Sequence, residues 1–93
     1  MKNYLLLLLC CGNIALAQQQ PGKKVFEAKC VECHGANGTK GRFHAANLQL
    51  SRLADAELLR IVSKGKKWMP SWEKSLKPEE IAAVVNYIKT LRK

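Results

Sequence analysis

Five consecutive residues, Cys30-Val31-Glu32-Cys33-His34, constrain this chain more than any other stretch in it. C-x-x-C-H is the attachment signature of c-type haem. On a helix, Cys30 and Cys33 stand i,i+3 and His34 is i+4 from Cys30, so all three side chains lie on nearly one face. Two thioether bonds can hold one flat macrocycle there while the adjacent imidazole ligates its iron. A second axial ligand has to come from elsewhere. Of the two methionines, Met1 is the start of the chain, which leaves Met69.

The first seventeen residues read as a leader. Lys2 is a minimal positive start, Tyr4 to Leu9 open an apolar stretch, and Ala15-Leu16-Ala17 is a small-x-small cleavage site ahead of Gln18-Gln19-Gln20. The apolar run is too short to span a bilayer, and Gly12 and Asn13 interrupt it. Residues 1–17 are therefore expected to be a cleaved signal peptide, and residues 18–93 a single domain exported to the periplasm. A lipoprotein signal would acylate Cys10 or Cys11, but the residues before them, Leu9 and Cys10, are not the small residue such boxes usually carry.

Cleavage removes two of the four cysteines, and the remaining 76 residues keep only Cys30 and Cys33. No pair is left for a structural disulfide, although small exported chains often carry one. Below about 80 residues a hydrophobic core rarely suffices without a staple. A covalently held haem is both a staple and an apolar body to pack around. The missing disulfide and the motif support each other.

Charge narrows the partners. The chain has 16 Lys and Arg against 7 Asp and Glu, a net +9, and loss of Lys2 leaves 15 against 7, a net +8. Such a balance suits nucleic acid, an anionic membrane or an acidic protein. Nucleic acid is set aside, because the chain is exported and carries no recognisable binding motif.

Along the chain, Pro21 suits the first turn of a helix running to about Cys33, with Gly22, Phe26, Cys30 and Cys33 on one face. Residues 35–50 read as a loop with three glycines and little periodicity. A second helix is expected from about Asp55 to Lys64, with Leu58, Ile61 and Val62 buried and Gly65 just past its end. Asp55 either caps it or sits in its first turn. Lys66 to Leu76 are irregular, and Pro70 biases Met69 towards an extended backbone, from which a side chain can be aimed at a cofactor. The last helix starts at Pro78, with Glu79 and Glu80 in a first turn that favours acids and an apolar stripe of Ile81, Val84, Val85 and Ile88. The fold class is all-α.

Taken in order, these elements resemble the class I cytochromes c, of the small bacterial single-domain kind. The likeness rests on Gly22-x-x-x-Phe26-x-x-x-Cys30-x-x-Cys33-His34-Gly35, then Asn47-Leu48, the helix of Leu58 to Val62, Gly65-x-x-x-Met69-Pro70, and Ile81-x-x-Val84-x-x-Tyr87-Ile88. It implies three main helices and irregular loops wrapped around one covalently attached haem c. By the same resemblance Cys30 and Cys33 carry the thioethers, His34 is the proximal ligand and Met69 the distal one. Gly22 and Phe26 would pack against Val84 and Tyr87 where the first and last helices cross. Where the family commonly has G-P-N-L, this chain has Ala45-Ala46-Asn47-Leu48. The carbonyl that orients the proximal imidazole is backbone, so that hydrogen bond survives the replacement, although alanine does not fix φ.

With both axial positions filled the iron has no vacancy, and the protein is expected to be a one-electron carrier and not an enzyme. Met/His ligation raises the reduction potential. Trp68, Trp72, Phe26 and Leu48 would wall the haem from water, and Lys64, Lys66 and Lys67 would form a basic rim. A monomer is expected, meeting redox partners through small, weak interfaces. An acidic docking surface on a terminal oxidase, reductase or dehydrogenase would match that rim. His44 is a rival ligand, ten residues after His34. A zinc site on Cys30, Cys33 and His34 lacks a second C-x-x-C, and a thiol-redox C-x-x-C lacks its βαβ context. The serious alternative is a haem protein with an open sixth position, a gas sensor or weak peroxidase, which differs only in whether Met69 is bound.

Overall fold

A computed structural model describes residues 21–93; the leader, with Cys10 and Cys11, lies outside the described residues. Among them there are helices and turns, and the nearest approach to a sheet is one isolated bridge between Lys66 and Met69. Helix α1 covers residues 21–29, α2 is Val31–His34, α3 is Asp55–Lys64 and α4 is Pro78–Thr90. The fold is all-α.

The expected first helix is split in two at Cys30. Its φ of −111° departs from helical geometry, yet its N–H still bonds Phe26 O at 2.8 Å and its carbonyl still accepts from His34 N–H at 2.9 Å. The hydrogen-bond ladder therefore runs through the break. Cys30, Cys33 and His34 keep their helical relation while the backbone hitches beneath the first cysteine.

Each end of α3 and α4 has a chemical cause. Ala54 precedes α3 in an extended conformation with no side-chain cap, which places Asp55 in the first turn beside Glu57. Both carboxylates face the positive end of the helix dipole. Gly65 ends α3 at φ +80°, a conformation that glycine adopts without penalty. Pro78 is the first residue of α4, and the Glu80 carboxylate reaches back to accept the Lys77 N–H at 2.8 Å.

The core lies where α1 crosses α4. Phe26 and Val84 are almost wholly buried, with Val85, Ile81 and Ile88 continuing the α4 stripe and Leu58 and Val62 facing them from α3. At the crossing, a Cβ on Gly22 would run into the Ala83 carbonyl and reach Tyr87 Cβ at 3.0 Å. The Phe26 and Tyr87 rings pack with centroids 5.3 Å apart, tilted by 54°. Burial of this order contributes roughly 1.5–3 kcal/mol per large apolar side chain. Three long helices thus form a frame from which two loops, residues 35–54 and 65–77, close around a cavity.

Candidate functional site

The floor of the cavity is α2. His34 is 9% exposed, and its Nδ1 donates to the Ala46 carbonyl at 3.1 Å. A carbonyl only accepts, so the proton sits on Nδ1 and the Nε2 lone pair is free to bind a metal. Burial lowers the His34 pKa, partly offset by the bond to Ala46, which keeps the ring neutral near pH 7. Burial first, and the neighbouring Cys33 second, push the Cys30 thiol up to about 11.

Ala46 is presented by the long loop. Lys40 N–H bonds His34 O at 2.8 Å and Leu48 N–H bonds Gly38 O at 2.9 Å, folding the loop back over α2. Between these ties Phe43 and His44 take φ values of +54° and +62°. Alanine at 46 in place of proline leaves the carbonyl where the imidazole needs it.

The opposite wall is a turn. Lys66 N–H bonds Met69 O at 3.1 Å and Met69 N–H bonds Lys66 O at 2.9 Å, so Lys67 and Trp68 form the tip of a two-residue loop. Lys67 has φ +53°, which is costly for a residue with a Cβ. The chain then returns to α3, Trp72 N–H bonding Val62 O and Glu73 N–H bonding Ser63 O, both at 3.1 Å. A Cβ on Gly65 would stand 2.6 Å from Met69 O and 2.9 Å from Ser71 N. Only glycine lets the turn fold this closely onto the end of α3.

These walls enclose a cavity of about 720 Å³, within the usual size of cofactor pockets. Cys30, Cys33, His34 and Met69 all line it, together with Leu48, Trp72 and Trp68. Leu48 is buried and Trp72 half-buried, with the Lys29 ammonium 5.6 Å from the Trp72 ring centre. Trp68 lines the cavity at its rim, 71% exposed and with its ring centroid 6.2 Å from that of His44. Lys66 and Lys67 border the cavity, whereas Lys64 is drawn to Glu73 at 2.8 Å and faces a shallow pocket between α3 and the start of α4. Sequence reasoning missed Phe43, Ser51 and Leu53 as lining residues. They lie on a loop without periodicity, which carries no signal for which side chains turn inward. Leu58 and Val62 also line it, and their helical spacing marked them only as buried.

The family model described as "Cytochrome C oxidase, cbb3-type, subunit III" matches residues 17–88. The chain belongs to this family of c-type cytochrome domains. It is 38% identical over 77 residues to the Cbb3-type cytochrome c oxidase subunit FixP of Bradyrhizobium diazoefficiens, covering 75% of this chain and 26% of that protein. It is 35% identical over 72 residues to cytochrome c6 of a Nostoc species, covering 72% of this chain and 65% of the relative. The chain thus spans about a quarter of the one and just under two thirds of the other.

The cofactor of a c-type cytochrome domain is covalently bound haem c. The residues present fit it. The cavity is large, mostly apolar, bordered by two thiols three residues apart, and faced by an imidazole already committed through its other nitrogen. No cluster of three or more His, Cys, Asp or Glu that could hold a bare metal ion is found among the described residues.

Proposed function

We propose that this cytochrome domain is a one-electron carrier whose haem is held by thioethers at Cys30 and Cys33 and ligated axially by His34 and Met69. The observation that carries this reading is convergence. Cys30 at the start of α2, Cys33 and His34 on it, and Met69 from a loop 35 positions after His34 line one cavity, with His34 Nδ1 donating to Ala46 O.

Haem c supplies a single-electron ferric/ferrous couple. The chain's residues set its direction and access. The Met69 thioether is a soft, neutral donor that favours the reduced state. Phe26, Leu48 and Val62 keep water from the cavity, which penalises the more highly charged ferric state. Trp72 closes the Met69 side, and Trp68 stands at the rim. Were His34 and Met69 both to hold the iron, no position would remain for a substrate, and the domain would carry electrons without bond chemistry.

Partners would meet it at the mouth, where Lys66 and Lys67 favour an acidic docking surface. A reductase or dehydrogenase would fit that chemistry; the FixP relative, named as an oxidase subunit, tilts the choice towards a terminal oxidase. The expected setting is the periplasm, after removal of residues 1–17. No helix among the described residues is long and apolar enough to cross a membrane.

The test is the visible spectrum of protein matured with haem, oxidised, then reduced, then exposed to carbon monoxide. A low-spin spectrum indifferent to carbon monoxide, with a methionine-to-iron band lost in Met69→Ala, is the expected result. Ready carbon monoxide binding by the wild type would instead favour a sensor or peroxidase with an open iron.

A further inference from the structure

The polar ties of the loop that carries Met69 all run to one half of the molecule. The main-chain N–H of Trp72 bonds Val62 O, that of Glu73 bonds Ser63 O, and Ser71 Oγ donates to Ser63 O at 2.6 Å. Lys64 pairs with Glu73 on the same side. Among the described residues, no hydrogen bond or ion pair joins residues 65–77 to residues 21–54, which hold Cys30, Cys33 and His34.

Besides apolar packing, two ring contacts cross that gap, and they flank Met69. Trp68 meets His44 at the mouth, and the Lys29 ammonium lies over the Trp72 ring, 5.6 Å from its centre. The second has the firmer footing. Lys29 is the last residue of α1 and stands next to Cys30, so its backbone belongs to the segment that would anchor the haem. Trp72 is half-buried and packs against the core, whereas Trp68 is 71% exposed. The ammonium is within the about 6 Å over which the negative face of an indole attracts a cation. Lys29 has no carboxylate partner among the described residues, so that attraction competes with no ion pair. Only Pro70 and Ser71 separate Met69 from Trp72, and the proline ring removes one torsion between them. An outward swing of Met69 therefore drags on the indole.

We propose that Lys29 is a positioning residue, whose ammonium clasps Trp72 and so holds the Met69 loop closed against the haem-attachment segment. This rests on the His34 and Met69 ligation proposed above. The rival role is that of a solvated lysine whose charge acts on the iron through space, independently of the indole.

The probe is imidazole added to the ferric, haem-loaded protein, where it reaches the iron only once Met69 has left. Apparent affinity scales with the open fraction, so loss of the clasp reads out directly. Lys29→Met keeps a long apolar stem and drops the charge. It is expected to bind imidazole about two- to fivefold more tightly, the measure of an exposed cation–ring contact, and Lys29→Arg to bind it as the wild type does. In a Trp72→Leu background, Lys29→Met should add nothing further. Unchanged affinity in Lys29→Met overturns the proposal. So does an equal gain in both backgrounds, which would assign the effect to charge alone. If Trp72→Leu fails to mature, Trp72→Phe fills the wall with a poorer cation acceptor, and an undiminished Lys29→Met effect there overturns the proposal as well. A wild type without a methionine-to-iron band would defeat the ligation reading itself, and the proposal with it.

Discussion

The two sides of the cavity are built on different principles. On the His34 side the side chain rides a helix, is almost fully buried, and has its ring orientation fixed by Ala46 O. On the Met69 side the side chain hangs from a two-residue turn closed by two main-chain hydrogen bonds, with Lys67 in a left-handed conformation at its tip. Helical position is set by many cooperative bonds, whereas a short turn depends on a few contacts. The His34 side therefore acts as the fixed reference. In the proposed ligation, the Met69 side is where single residues would adjust the geometry and with it the potential.

The largest way to break this contrast is Gly65→Ala. An alanine at φ +80° is strained, and its Cβ would meet the backbone of Met69, Pro70 and Ser71. We expect a loss of about 2–3 kcal/mol in denaturant unfolding, together with loss of the methionine-to-iron band. Stability lost with that band intact would show that the turn is stiffer than its contacts suggest.

Lys67→Gly probes the same turn in the other direction. Glycine relieves the left-handed strain but loses more entropy on folding, so a gain of about 0.5–1 kcal/mol is expected in thermal unfolding. The spectrum should stay unchanged. A destabilised variant would mean that the Lys67 side chain makes a contribution larger than its backbone cost.

The smallest effect concerns the two lips of the mouth. Arg42 is already partnered by Glu32 at 3.6 Å, whereas Lys66 has no ion pair among the described residues. Lys66→Glu should slow reduction by an acidic redox protein about threefold at low salt, and Arg42→Glu by less, both effects fading as salt is raised. Equal effects at the two positions would erase the distinction between the lips.

Much of this site was legible without coordinates because its chemistry is local. C-x-x-C-H places three groups on one turn of helix, Gly65 stops α3 where it was expected to, and Pro78 with Glu80 starts α4. The α1–α4 crossing through Gly22 and Phe26 was expected from the resemblance, and the close approach at Gly22 fits it. The exposure of Trp68 and the pairing of Lys64 with Glu73 were not. Trp68 shares its neighbourhood with Met69 in sequence, yet the turn throws it outward to His44, and Lys64 swings to Glu73 nine residues on.

By itself, then, the sequence determined the bounds of α3 and the start of α4, the haem-binding signature, the resemblance to the family and the expectation that Met69 lies near the cavity. Each follows from spacing within a few turns of chain or from residues with restricted backbone freedom. Only the tertiary structure decided where α1 breaks, which aromatic faces solvent, and which hydroxyl is left buried without a partner. Those depend on where a loop of positive-φ residues and the C-terminal arginine meet the helical frame. Long-range closure of that kind is fixed by packing and hydrogen-bond satisfaction across the whole molecule, which no local pattern encodes.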